Sequence, residues 1–263
     1  MIRRVRNFDV DLVEAGSGPP LLYLHGIWDF ADQSFVERLG ARFHVLAPRL
    51  PGFGGSTGEH ELLDMYDAVH HLLDVADALG VENAPLVGHC LGGMFAAELA
   101  ATQPKRFTKL ALIAPWGLWL EDKASLDFFA APRAEMASAL HGPNSSEARE
   151  AGGPPAPPPA DETPEQQSAR IEAAVERSKA MTSAARFLWP IPNRGLSKRL
   201  HRVGAPTLLL WGVEDGVLPP DYGRAFQQHI AGSRLEVIPG AAHMPHLQAP
   251  APTLTALEDF LVR

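Results

Sequence analysis

One short segment constrains this chain more than any other: the glycine-rich run Gly88-His89-Cys90-Leu91-Gly92-Gly93, which follows the apolar run Ala84-Pro85-Leu86-Val87. The pattern predicts a buried strand, a sharp turn at Cys90 and a helix that starts at once. Glycine is needed two positions before and two positions after Cys90, because a Cβ there would collide with the neighbouring strand or helix. A strained turn of this kind lifts the central side chain above the edge of the sheet.

Short apolar runs alternate with helical stretches along most of the chain. Buried strands are predicted at residues 21–24, 44–47, 84–87, 110–114, 207–211 and 235–238, an amphipathic strand at 8–13, and helices at 62–79, 91–102 and 253–262. Continuous apolar runs are typical of strands that are covered on both faces. The alternation therefore predicts an α/β fold with a parallel sheet and helices on both faces.

The rhythm of strands and helices is interrupted between residues 116 and 203. This stretch has helical character and many aromatic residues, and prolines at 152–160 exclude helix and central strand there. We predict a core formed by residues 1–115 and 204–263 and a helical cap at 116–203 with a proline-rich loop at 152–160. The alternative, a flexible linker between two domains, is disfavoured because only two strands follow, too few for a separate core.

Composition excludes several classes of function. The chain has 263 residues and a formal net charge of −8, which gives no reason to expect a nucleic-acid partner. The basic N-terminus lacks the apolar segment of a signal peptide, and the longest apolar stretch is broken by Pro115 and Gly117 and too short to span a bilayer. We expect a cytoplasmic protein without a membrane partner, a monomer or homodimer, whose thiol stays reduced.

Cys90 is the only cysteine, so it has no disulfide partner within the chain. A catalytic thiol needs a base, and the base needs a carboxylate that orients it. Asp215 follows the strand predicted at 207–211, and His243 follows the strand predicted at 235–238. Both lie in loops after the carboxyl ends of parallel strands, where α/β sheets place their ligands. The alternative is that Cys90 is an ordinary buried apolar residue.

Four segments in register resemble the α/β-hydrolase superfamily, specifically its cap-bearing esterase and C–C hydrolase branch. They are His25-Gly26, Pro51-Gly52-Phe53-Gly54-Gly55-Ser56, the turn around Cys90, and the pair Asp215 and His243. The resemblance implies an α/β-hydrolase fold with a mostly parallel sheet of about eight strands. It also implies that Cys90 is the nucleophile, His243 the general base and acid, and Asp215 its orienting carboxylate.

The same resemblance implies an oxyanion hole formed by the backbone N–H groups of Ile27 and Leu91. The N–H of Leu91 is unpaired because it opens a helix, whose dipole also favours negative charge. Most relatives carry serine at the nucleophile position, and a minority, typified by dienelactone hydrolases, carry cysteine. A thiol has a reference pKa of about 8.5, nearer the operating pH than that of a hydroxyl, so a nearby imidazolium and the helix N-terminus can hold Cys90 as thiolate.

Several other residues compete for roles in the site. Glu214 is an alternative to Asp215. His25 is expected to shape its loop, His246 to support its loop, and His89 to point away from the turn and support the site from behind. His70 and His71 are expected to be structural residues of a helix. The substrate pocket is predicted to include Trp28, Trp116, Trp119, Phe129 and Trp189, with ordinary core packing as the alternative for each. We expect no cofactor and no metal centre, since a single cysteine excludes the common cysteine-based zinc sites.

The function predicted from these residues is hydrolysis of a carboxylic ester, lactone or thioester of an apolar small molecule through an acyl-enzyme. Acyl transfer is an alternative because thioesters also react with amines and thiols. A second alternative is a C–C bond hydrolase of ring-cleavage products, although Gly216 and Met244 stand where such enzymes often carry polar residues. Two others are a serine enzyme with a Ser-to-Cys substitution and a non-catalytic ligand-binding relative.

Overall fold

A computed structural model describes residues 1–154, 159, 161–189, 191 and 195–262. The strands in chain order are β1 (Ile2–Val5), β2 (Phe8–Ala15), β3 (Pro20–Leu24), β4 (His44–Pro48), β5 (Ala84–His89), β6 (Phe107–Ile113), β7 (Thr207–Gly212) and β8 (Arg234–Ile238). They form an eight-stranded sheet in the order β1-β2-β4-β3-β5-β6-β7-β8. Strands β1 and β2 pair antiparallel, β2 pairs antiparallel with β4, and the remaining pairs are parallel. The prediction of a mostly parallel sheet is confirmed, although β1 was missed because Ile2, Arg3 and Arg4 are all exposed.

The helices pack on both faces of the sheet. They are α1 (Ser34–Leu39), α2 (Met65–Ala78), α3 (Cys90–Thr102), α4 (Arg133–His141), α5 (Ser146–Ala151), α6 (Pro164–Leu188), α7 (Asp221–His229), α8 (Pro245–Gln248) and α9 (Pro250–Val262). Helices α2, α3 and α7 contribute to one apolar core, and α1 and α9 contribute to a second core on the opposite face. No described helix combines the length and the apolar character needed to cross a membrane.

The segment between β6 and β7 contains helices α4, α5 and α6 and no strand among its described residues. Helix α6 begins with a capping box in which Thr163 and Gln166 bond each other's backbone N–H groups. Its last turns are buried, and Phe187 packs edge-on against Phe95 of α3 at 5.2 Å between ring centroids. The segment therefore rests on the helix that Cys90 opens. Of the predicted proline-rich loop, residues 155–158 and 160 lie outside the described residues.

The turn between β5 and α3 has the strained geometry that the glycine pattern predicts. Cys90 has a φ of +53°, in the left-handed region that side chains rarely adopt. A Cβ on Gly88 would lie 2.6 Å from the carbonyl oxygen of Gly92, and a Cβ on Gly92 would lie 2.3 Å from the carbonyl oxygen of Leu24. Both positions therefore require glycine, because an added Cβ would clash with backbone atoms that cannot move without displacing the sheet.

Replacing Gly92 with alanine is expected to destabilise the fold by about 3 kcal/mol or more, because the clash is with backbone atoms of β3. The measurement is urea unfolding followed by circular dichroism. Gly152→Ala is the matched control, since Gly152 has helical backbone angles and no atom closer than 3.4 Å to an added Cβ. The control should change stability by less than about 0.5 kcal/mol. Equal stability of the two variants would contradict the steric account of the turn.

Candidate active site

The loops after β7 and β8 bring Asp215 and His243 into contact. Nδ1 of His243 lies 2.9 Å from Oδ2 and 3.1 Å from Oδ1 of Asp215, and both side chains are buried. The Asp215 carboxylate also accepts the backbone N–H groups of Val217 and Leu218, each at 2.9 Å. Because the carboxylate oxygens are acceptors, Nδ1 of His243 carries the proton and Nε2 keeps a lone pair. Glu214, the alternative acid, is exposed.

The Cys90 thiol is fully buried at the start of α3. The backbone N–H groups of Ile27 and Leu91, which were assigned to the oxyanion hole, lie close enough to its sulfur to lower the pKa of the thiol. Burial raises the pKa of the Cys90 thiol far above its ordinary value; the two N–H groups lower it, and the carboxylates of Asp29 and Asp215 raise it further.

Burial therefore favours the neutral thiol, and it opposes the thiolate that a nearby imidazolium and the helix N-terminus can stabilise, because desolvation raises the thiol pKa. Nε2 of His243 is also buried and has no hydrogen-bond partner among the described residues. No hydrogen bond therefore joins the Cys90 sulfur and Nε2 of His243.

Aromatic rings lead from His243 to the protein surface. Trp28 lies edge-on to His243 at 5.4 Å between ring centroids and edge-on to Phe128 at 5.2 Å. Phe128 then contacts Trp116 at 5.3 Å and Phe129 at 4.2 Å. Phe129 contacts Trp189, whose side chain is 51% exposed, at 5.7 Å. We call this set of rings the aromatic chain: Trp28, Trp116, Phe128, Phe129 and Trp189.

Four of the five residues predicted for the pocket belong to the aromatic chain, and Trp119 does not. Trp119 lines a surface groove together with Leu120 and with Asp221 and Arg224 of α7. The backbone turns at Gly117, with a φ of +110°, so Trp116 and Trp119 face different surroundings. Phe128 connects the other rings and was not selected from the sequence.

A buried polar cluster lies behind the nucleophile. Oδ2 of Asp29 accepts a hydrogen bond from the hydroxyl of Tyr23 at 2.9 Å and lies 3.0 Å from Nδ1 of His89 and 3.0 Å from Nε2 of His246. Nε2 of His89 lies 3.0 Å from the backbone oxygen of His243. The contacts of His89 and His246 fit the supporting roles expected of them. Asp29 was missed, although an acid between Trp28 and Phe30, shortly after His25-Gly26, is a usable signal.

His25 has contacts of the same supporting kind. Its Nδ1 lies 2.6 Å from the backbone oxygen of Gly26, and its Nε2 accepts the backbone N–H of Leu50 at 2.9 Å. Burial lowers the pKa of His25 to about 4, which keeps the ring neutral. The donor atoms of Asp29, His89 and His246 lie within 4.8 Å of one another. The expectations of no metal centre and no cofactor stay predictions.

Comparisons with known proteins agree with this architecture. The family model of the alpha/beta hydrolase fold matches residues 19–250. A 2-hydroxy-6-oxo-6-phenylhexa-2,4-dienoate hydrolase of Burkholderia cepacia is 27% identical over 256 residues, covering 90% of this chain and 85% of that protein. The crystal structure of a membrane phospholipase A described as a bacterial virulence factor has a TM-score of 0.76 and 26% identity, covering 99% of this chain and 84% of that one.

A further structural relative shows the same fold. It is the 2-hydroxy-6-oxo-6-phenylhexa-2,4-dienoate hydrolase from Rhodococcus sp. strain RHA1, with a TM-score of 0.74 and 20% identity over 100% of this chain and 98% of that one. At that level of identity the likeness concerns the fold alone. The chemistry of this chain is therefore inferred from the geometry of its own site.

The buried neutral thiol predicts slow alkylation. At pH 7.5 iodoacetamide should label Cys90 in the folded protein at least about 100-fold more slowly than in urea, because thiolate fraction falls tenfold for each unit of pKa. Labelling is followed by intact mass, and the single cysteine makes the stoichiometry unambiguous. Folded and unfolded protein reacting at similar rates would show that the thiol is accessible and ionised.

Proposed function

This chain belongs to the alpha/beta hydrolase fold family and is a hydrolase, and on that premise we propose that it cleaves a carboxylic ester, lactone or thioester of an apolar small molecule. Cys90 is the proposed nucleophile, His243 the general base and acid, and Asp215 the group that orients His243. One observation carries the proposal. The buried His243–Asp215 pair and the backbone N–H groups of Ile27 and Leu91 come from separate loops and lie near the Cys90 thiol.

The proposed reaction begins with proton transfer from the Cys90 sulfur to Nε2 of His243. The sulfur bonds to the substrate carbonyl carbon, and the carbonyl oxygen becomes an oxyanion that takes the place of the sulfur as acceptor for the N–H groups of Ile27 and Leu91. Collapse of this intermediate breaks the carbon–oxygen bond, and the leaving alkoxide takes the proton from His243. Water, deprotonated by His243, then hydrolyses the Cys90 thioester and restores the thiol.

The surroundings of the thiol favour an uncharged, apolar substrate. Trp28 of the aromatic chain packs against His243 and Phe128 packs against Trp28, and such rings bind apolar groups through large contact areas. The charged groups that act most directly on the thiol, Asp29 and Asp215, are both carboxylates, and each raises its pKa. A substrate anion placed near the sulfur would add to that repulsion.

Hydrolysis of a C–C bond is the second candidate, and the names of relatives favour it. The Burkholderia cepacia relative is named for a substrate that carries a phenyl group, which an aromatic pocket would suit. That substrate is also a dienoate, so it brings a carboxylate. Gly216 and Met244 offer no polar side chain beside Asp215 and His243 to bind it. We therefore place ester-type hydrolysis first and C–C hydrolysis second.

The test is turnover of p-nitrophenyl acetate, butyrate and benzoate beside a phenyl-substituted oxodienoate. We expect ester hydrolysis, with Cys90→Ala at background, His243→Ala lower by about 10³-fold or more, and Asp215→Asn lower by about 10²- to 10⁴-fold. Intact mass after a rapid quench should show an acyl adduct on the wild-type protein and none on Cys90→Ala. Addition of an amine or thiol acceptor shows whether the adduct is transferred or hydrolysed.

Two exposed neighbours provide matched controls. His70→Ala removes a histidine on the outer side of α2, and Glu214→Gln removes the carboxylate next to Asp215; both should leave turnover unchanged. Turnover of the oxodienoate alone would reverse the order of the two candidates. Absence of turnover on every substrate, with no acyl adduct, would contradict both and favour the non-catalytic alternative.

A further inference from the structure

The ring of His89 lies between two hydrogen-bond acceptors. Its Nε2 is 3.0 Å from the backbone carbonyl oxygen of His243, and its Nδ1 is 3.0 Å from Oδ2 of Asp29. A carbonyl oxygen can only accept, so Nε2 must carry a proton. A neutral imidazole has a single N–H, which would leave a bare Nδ1 lone pair facing the Asp29 carboxyl group. One further proton is therefore required between His89 and Asp29.

The other partners of Asp29 indicate which atom holds that proton. Oδ2 already accepts the hydroxyl of Tyr23 at 2.9 Å, and Nε2 of His246 lies 3.0 Å away. Burial alone would raise the pKa of Asp29, but the charge of His89 and the hydrogen bonds from His246 and His89 hold it well below its usual value. Asp29 is thus a carboxylate that receives three donors on one oxygen.

The state of His246 agrees with this assignment. Burial lowers the pKa of His246 to about 4, so its ring is neutral near pH 7. Its single proton must then lie on Nε2, where it is donated to Asp29. Nδ1 of His246 is left as a bare acceptor, which accounts for its lack of a hydrogen-bond partner among the described residues.

We propose that His89 is a buried imidazolium, paired with the Asp29 carboxylate, and that it acts as a positioning residue by holding the main chain of His243 through its Nε2–H. The charge-assisted bonds join three segments: the loop after β3 that carries Asp29, the turn that carries Cys90, and the loop that carries His243. The effect on turnover rests on the proposed function, whereas the protonation state of His89 does not.

The shape of the site supports so close a pair. A Cβ on Gly26 would lie 2.4 Å from Nδ1 of His89, 2.6 Å from Oδ1 of Asp29 and 2.9 Å from Cβ of Cys90. Glycine at position 26 therefore leaves the space in which the ion pair and the nucleophile meet. Several titratable groups face His89. Asp29 is one, and Tyr23 lies behind it. The rings of His243 and His246 lie at 5.3 Å and 4.4 Å between centroids, and Cys90 is the next residue in the chain. His25 is also close enough for the charge of His89 to lower its pKa.

The direct test is NMR of the full chain labelled with ¹⁵N in the histidine rings, recorded from pH 5 to pH 9. We expect His89 to show two protonated ring nitrogens at pH 7 and His246 to show one. His89→Gln assigns the signals, and His70→Gln is the control that removes an exposed histidine on α2. In Asp29→Asn the neutral amide no longer stabilises the charge, so His89 should lose its second proton within the range.

Two results would overturn the assignment. The first is a wild-type His89 with a single protonated ring nitrogen at pH 7. The second is a stoichiometric metal ion in the purified protein, found by elemental analysis, since a cation bound by Asp29, His89 and His246 would replace the shared proton.

Kinetics test the positioning role. His89→Gln can still donate an N–H toward the His243 carbonyl but carries no charge, and His89→Ala can do neither. We expect kcat on p-nitrophenyl esters to fall by about 10- to 100-fold in His89→Ala, with KM little changed and partial recovery in His89→Gln. Equal kcat in wild type and His89→Ala would refute the positioning role. If the wild type hydrolyses no ester, the proposed function fails while the NMR result still decides the state of His89.

Discussion

The steric fit of the turn between β5 and α3 is the constraint on which the site depends. The left-handed backbone of Cys90 is held by contacts of Gly88 with Gly92 and of Gly92 with the end of β3. These contacts keep α3 close to the sheet and direct its free N–H at Leu91 to the thiol. The N–H of Ile27 reaches the same sulfur because Ile27 follows the end of β3, the strand that Gly92 touches. One packing arrangement thus sets the position of Cys90 and of both N–H groups.

The same packing determines the ionisation of the thiol. Cysteine nucleophiles are commonly activated by a lowered pKa in a partly exposed, electropositive setting. Cys90 has the opposite setting, since it is fully buried and near two carboxylates. A neutral thiol beside a neutral imidazole costs little to bury, whereas a thiolate–imidazolium pair would carry a large desolvation penalty. Burial of Cys90 therefore favours the neutral thiol over a preformed thiolate.

The fold was predictable where one physical signal dominates. Parallel strands covered on both faces appear as continuous apolar runs, so β3 to β7 could be located, and the loop of Asp215 followed from β7. The loop of His243 followed from the strand predicted at 235–238, which corresponds to β8. Strand β1 lacks that signal because it lies at the sheet edge with exposed side chains. The contacts of Asp29 with His89 and His246 join residues 60 and 217 positions apart. No local pattern encodes such contacts, just as none encodes the turn at Gly117 that separates Trp116 from Trp119.

Trp28 contacts two residues near the site that come from distant segments of the chain. One side of its ring system contacts His243, which belongs to the loop after β8, and it also contacts Phe128, which belongs to the segment between β6 and β7. Any displacement of that segment moves Phe128 and removes a packing partner from the ring that covers His243. Nε2 of His243 is itself buried and has no hydrogen-bond partner among the described residues. Through Trp28, the ring of His243 is therefore packed against the segment between β6 and β7.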